Sequence, residues 1–141
     1  MSYFRFIGQI QRCYALFRDS RLEKYGLSGY QSLYLQTICR NPGIHQEALS
    51  EKLIFNKSST SRQISSLEEL GLIRRERSEK DKRSILVYPT EKGLALFPIL
   101  KETMHEFFSL ISQDLTEEER NLLDTLSEKV NLRAKEAIRN L

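Results

Sequence analysis

Apolar positions recur at helical spacing from almost the first residue. Tyr3, Phe6/Ile7, Ile10, Cys13/Tyr14 and Phe17 form a stripe, with Arg5, Gln9, Arg12 and Arg18 between them. This predicts an amphipathic helix, and Gly26 closes the segment that follows it. Ser28 with Gln31 three positions on has the form of a capping box, opening a helix through Tyr30, Leu33, Tyr34, Thr37 and Ile38. Arg40-Asn41-Pro42-Gly43 reads as a turn. Two short helices are expected next. The first places Ile44, Ala48, Leu49 and Leu53 on one face. The second runs from about Lys57 to Leu70, with Asn56 as its cap and Thr60, Ile64, Leu67 and Leu70 facing inward. Gly71 stands where a left-handed helix stop belongs.

The period then changes from helical to alternating. Leu72–Arg77 and Ser84–Tyr88 are β-prone runs around the polar tip Ser78-Glu79-Lys80-Asp81-Lys82-Arg83, which predicts a hairpin. Thr90-Glu91-Lys92-Gly93 opens a helix whose apolar face is expected at Leu94, Phe97, Leu100, Met104 and Phe108. Pro98 should kink that helix unless the helix effectively begins there. Thr116 and Glu119 form a capping box for a final helix carrying Leu122/Leu123, Leu126, Val130 and Ile138. The predicted fold class is mainly α with a small β-hairpin: four helices, a hairpin, two helices. With 141 residues, one domain is expected.

Composition changes this picture little, because 40% hydrophobic and 29% charged residues describe an ordinary globular chain. No run of 18 apolar residues occurs, so no membrane span is expected. Residues Met1–Gln9 lack the continuous apolar region of a secretory leader. Cys13 and Cys39 are too few for a disulfide scaffold, and a cytoplasmic protein with reduced thiols is the expectation. Charge placement is more telling. Residues 57–92 carry nine Lys/Arg against six Asp/Glu, whereas residues 94–141 carry six against nine. That asymmetry points to a local contact with a polyanion.

The candidate chemistry lies in the middle of the chain. Residues 54–67 hold no carboxylate, and the helix within them offers Asn56, Lys57, Ser58, Ser59, Thr60, Ser61, Arg62 and Gln63. A helix that enters the major groove needs short donors and acceptors near its start, positive charge for phosphates and no negative charge. Six Ser/Thr among residues 57–66 are not what helix stability alone would select. The hairpin adds Arg74, Arg75, Arg77, Lys80, Asp81, Lys82 and Arg83. An extended Arg suits the negative potential of a narrow minor groove, and Asp81 can orient Arg83. A short helix, a turn, a second helix and a basic hairpin make a winged helix-turn-helix.

The stretch Ser58–Arg62 followed by Leu67-Glu68-Glu69-Leu70-Gly71-Leu72-Ile73-Arg74-Arg75 resembles the recognition helix and wing entry of the MarR family of transcriptional regulators. Asp81-Lys82-Arg83 followed by Thr90-Glu91-Lys92-Gly93 is similar to that family's wing signature. Four positions depart from the pattern: His45 replaces a capping Ser or Thr, Pro89 replaces Leu, and Thr60 and Gln63 replace aliphatic residues. The resemblance implies a homodimer joined by residues 1–27 and 94–141, with residues 28–93 as the winged helix-turn-helix. It implies double-stranded DNA as partner, a pseudo-palindromic operator, and a repressor released by a small phenolic or hydrophobic effector. Phe17, Tyr25, Tyr30 and Tyr34 are candidates to line an effector pocket, although aromatic residues at helical spacing are commonly core. Cys13 resembles the reactive Cys of peroxide-sensing members, but Phe17 stands where those sensors carry Tyr.

Other classes find less support. His45 and His105 lie in separate elements without ligand spacing, so no metal is expected. No nucleophile–base–orienter constellation and no glycine-rich phosphate loop is present, so neither an enzyme nor a cofactor is expected. A winged helix used only for protein contact is the remaining alternative, and the acid-free stretch of residues 57–67 argues against it.

Overall fold

A computed structural model describes residues 1–141. The helices are α1 (Ser2–Leu22), α2 (Gln31–Arg40), α3 (Gln46–Leu53), α4 (Lys57–Glu69), α5 (Glu91–Ile111) and α6 (Glu117–Arg139). One 3-10 turn, Glu23–Tyr25, follows α1. The strands β1 (Ile44–His45), β2 (Ile73–Arg77) and β3 (Ile85–Pro89) form an antiparallel sheet in the order β1-β3-β2. The fold class is as expected, mainly α with a hairpin wing. The chain divides into two compact units, Met1–His105 and Glu106–Leu141.

The first unit is built on one apolar core. Leu22, Leu27, Tyr34, Leu35, Ile38, Leu49, Ile64, Leu67, Leu72, Ile73, Val87, Leu96 and Leu100 are buried together. These positions come from α1, α2, α3, α4, β2, β3 and α5, with Ile44 of β1 packed against them, so the core fixes α4 and the sheet against α2. Asn56 caps α4 as predicted: its side-chain oxygen accepts from the Ser59 N–H at 2.7 Å. Gly71, at φ 74°, supplies the left-handed step that stops α4 and turns the chain into β2.

Several local expectations need correction. Ile44 and His45 are not helical: they form β1, whose residues pair with Val87 and Leu86. α3 therefore begins at Gln46, and His45 occupies its cap position without a side-chain cap bond. The Ser28 box is half present. Gln31 accepts from the Ser28 N–H at 2.8 Å, but the cap position is Tyr30 and the helix starts at Gln31. Pro98 neither begins nor divides α5; it lies on an exposed side, where water can take the freed carbonyl. The inward face of α5 is Gly93, Leu96, Leu100 and Thr103; of the predicted stripe Leu100 is buried and Phe97 packs against the core, whereas Leu94 and Phe108 are exposed.

Pro89 is tolerated by strand polarity. Gly43 N–H donates to the Val87 carbonyl, while Thr90 N–H donates to the Leu72 carbonyl. By alternation, residue 89 faces the side of β1, which has already ended at that register. Gly93 is required by close approach. A Cβ there would collide with the Leu72 carbonyl oxygen, because the first turn of α5 presses on the start of the wing. Thr90 completes that junction, donating to the Gly71 carbonyl at 2.6 Å and accepting from the Gly93 N–H at 3.1 Å.

In the second unit, α6 carries the predicted capping box in full, with Thr116 and Glu119 exchanging both bonds. Its stripe of Leu122, Leu123, Leu126, Val130 and Ile138 is exposed in the single chain.

Candidate nucleic-acid interface

The face of α4 turned away from the core is the first component. Asn56, Lys57, Ser58 and Arg62 are exposed, and Ser59, Ser61 and Gln63 are half-buried. Arg62 is steadied from one turn back by a 3.2 Å bond from Nη2 to Ser59 Oγ. Lys57 meets Glu47 of α3 at 2.8 Å. The carboxylate raises the Lys57 pKa, and the ammonium in turn lowers that of Glu47, chiefly through their shared hydrogen bond. Both groups are solvated, so an incoming phosphate can compete for Lys57 at little cost.

Thr60 does not belong to this face. It is fully buried, and its hydroxyl pairs with that of Tyr34 at 3.0 Å. Assigning it to base contact is therefore a misreading: it occupies the inward stripe with Ile64 and Leu67 and holds α4 on α2. Gln31 Nε2 adds a second tie, donating to Ser66 Oγ at 2.6 Å.

The wing is the second component. Register places Arg74 opposite Tyr88 and Arg75 opposite Val87, so the two arginines leave β2 on opposite faces. Arg74 stacks over the Tyr88 ring, 4.3 Å from its centroid, and pairs with Glu76 at 2.9 Å. Arg75 pairs with Glu68 of α4 at 3.0 Å. Arg77 donates to the Lys82 carbonyl at 2.7 Å. All three were expected at DNA, and all three have partners within the protein.

The tip is shaped by Asp81, although not as expected. Its carboxylate accepts from the Arg83 backbone N–H at 3.0 Å and the Ser84 hydroxyl at 3.3 Å, not from the Arg83 guanidinium. Ser78 N–H to the Ser84 carbonyl, at 3.0 Å, closes the loop. Asp81 thus builds the turn and leaves the Arg83 side chain to solvent beside exposed Lys80 and Lys82. Arg83, Lys57, His45 and Glu47 line a crevice of about 160 Å³ between the wing and the starts of α3 and α4.

The candidate effector residues scatter. Tyr34 is sealed in the core, and burial raises its phenol pKa. A cleft of about 350 Å³ between α1 and α2 is lined by Tyr14, Ala15, Arg18, Tyr30, Leu33 and Gln36, among others. Of the predicted set only Tyr30 reaches it; Phe17, Tyr25, Tyr34 and Cys13 do not. Cys13 is exposed on α1, whereas Cys39 is buried and its thiol is pushed up to about 11, mainly by desolvation. Sequence reading missed Arg18, whose guanidinium is buried between the Tyr14 and Tyr30 rings at 5.7 and 5.9 Å. It also missed Gln36, whose Oε1 is buried without a partner. Neither residue carries a motif; only the packing of α1 on α2 brings them together.

A helix-turn-helix backed by a three-stranded sheet with a basic tip defines a winged-helix protein. Residues 25–84 match the MarR family. The HTH-type transcriptional regulator YybA of Bacillus subtilis is 31% identical over 126 residues, covering 89% of this chain and 84% of that one. The crystal structure of the transcriptional regulator SlyA superposes with a TM-score of 0.94 at 29% identity, covering 97% and 96%. A MarR-family regulator from Listeria monocytogenes, solved with a 26mer DNA, gives a TM-score of 0.91 at 31% identity, covering 95% and 89%. The chain belongs to the MarR family of transcriptional regulators and is not an enzyme.

Proposed function

We propose that this regulator acts as a homodimer, sets α4 of each protomer in the major groove of a pseudo-palindromic duplex, and extends the wing tip into the adjacent minor groove. The observation that carries this reading is the acid-free stretch 57–67 of α4 lying beside an Arg83 guanidinium that has no protein partner. Lys57 and Arg62 supply phosphate contacts, while Ser61 and Gln63 are placed to read base edges. Two-fold symmetry separates the half-sites by about 34–36 Å, one helical turn. Residues 28–93 form the reading head, and residues 1–27 and 94–141 supply the dimer contact. No helix is long and apolar enough to cross a membrane, and the protein is proposed to work as a repressor in the cytoplasm.

Release by a small aromatic effector fits the cleft between α1 and α2. Its volume suits one ring system, and Gln36 Oε1 offers an acceptor to a ligand hydroxyl or N–H. The decisive experiment on DNA binding is a salt titration with a duplex selected from a random library. If the dimer neutralises six to ten phosphates, affinity falls about 10³–10⁵-fold between 50 and 200 mM salt. A flat salt dependence would refute the assignment of the α4 face and the wing tip.

A further inference from the structure

Arg75 is the most heavily engaged cation on the DNA-facing half of the molecule. Its Nη2 donates to Glu68 Oε1 at 3.0 Å and to Ser65 Oγ at 3.3 Å. Its Nε and its backbone N–H both reach Glu68 Oε2, at 3.4 and 3.2 Å. The grip spans the junction between α4 and β2, where the chain passes through the left-handed Gly71. The sheet register explains the reach: Ile73 and Arg75 leave β2 on the inward face with Val87, and the side chain lies against the last turns of α4.

We propose that Arg75 is a positioning residue, clasping Glu68 and Ser65 so that recognition helix and wing keep one fixed angle, and thereby setting operator specificity. This rests on the DNA-binding reading above. A helix in one groove and a tip in the next engage together only if the angle between them matches the spacing of the grooves. Arg75 is suited to this because its planar fork fixes direction as well as distance, which a lysine cannot do. The opposite end of the junction is already held by α5, since Lys92 donates to the Leu70 carbonyl at 2.9 Å and Thr90 to that of Gly71. The clasp supplies the constraint on the groove side. Glu68 follows the acid-free stretch of α4, and its carboxylate is consumed by Arg75 and does not face phosphate as a bare charge. Hydrogen bonding from Arg75 holds its pKa below the usual range.

The test exploits opposite signs. If Arg75 served as a phosphate contact, Glu68→Gln would release it and remove a repelling charge, so binding would tighten. If Arg75 positions the wing, Glu68→Gln weakens binding to a duplex selected by the wild type by about tenfold and leaves random-duplex affinity and the salt slope unchanged. Arg75→Lys, which keeps the charge, gives the same loss of specificity. The exchange Glu68→Arg with Arg75→Glu, at constant net charge, restores selectivity. Thermal unfolding checks that each variant is folded; an exposed pair is worth little stability. Operator binding by Glu68→Gln at or above wild-type affinity overturns the clasp, as does full specificity in Arg75→Lys. Should the wild type select no duplex at all, the DNA reading fails and takes the clasp with it.

Discussion

Thr60 and Tyr34 show how a single pair of hydroxyls ties a reading element to its support. Both side chains are fully buried, and each is the other's hydrogen-bond partner. Thr60→Val leaves the Tyr34 phenol unpaired in the core and costs about 1–3 kcal/mol in urea unfolding, whereas Tyr34→Phe combined with Thr60→Val recovers most of it. Neither change should shift base preference in a selection from random duplexes. The alkaline limb of stability follows from the same burial. Cys39, raised from its ordinary value near 9 to about 11, and Tyr34, also raised, release protons more readily when unfolded. The Cys39 contribution is intact below pH 9 and is lost as pH rises through about 11, and burial of Tyr34 acts in the same direction. The denaturation midpoint should therefore fall over that range, and Cys39→Ala should flatten the slope. The role of Thr60 was legible from its place on the stripe with Ile64 and Leu67, even though its polarity suggested the outer face. The partners of the three β2 arginines were not legible, because composition reports charge, whereas alternation along the strand reports which partner each charge finds.

Elements were legible where a strong local signal exists. The Asn56 cap, the Gly71 stop and the Thr116–Glu119 box mark boundaries chemically, and the structure places the helix ends there. β1 gave no signal because two residues cannot display a period; it exists only because β3 supplies its partners. The α5 stripe was right at Leu100 and wrong at its ends, because Leu94 and Phe108 are apolar yet exposed, so hydrophobicity alone could not separate core from uncovered surface. Helix and wing are predicted to fail differently. Arg83→Ala should weaken binding to all duplexes and lower the salt slope by about 2, about 1 for each wing of the dimer, with the largest loss where an A·T-rich minor groove meets the tip. Gln63→Ala should relax preference at particular base pairs, by about 1–3 kcal/mol for a good contact. Parallel selections with the two variants check this, and an unchanged profile for Gln63→Ala would remove it from the reading set.

At the scale of the whole molecule, both ends of the chain leave apolar side chains in water. Phe4, Ile7 and Ile10 on α1 and Leu122, Leu126 and Val130 on α6 are all exposed, more than a lone subunit ordinarily leaves uncovered. Truncation after Ser112 should therefore give a species that no longer dimerises and loses specific DNA binding, although every residue of the winged motif remains. Sedimentation and gel shift together test this; a monomer retaining full operator affinity would contradict it. The junction of α5 with the wing adds a mechanical consequence. Gly93 lies directly beneath the Leu72 carbonyl, and Thr90 and Lys92 hold the carbonyls of Gly71 and Leu70. The first turn of α5 is thus bolted to the pivot between recognition helix and wing. In a two-fold dimer, a twist of α5 within residues 91–105 is therefore expected to swing helix and wing as one piece. A dimer built on such heads is expected to differ between its states in the stride from one head to the other and not in the letters each head reads.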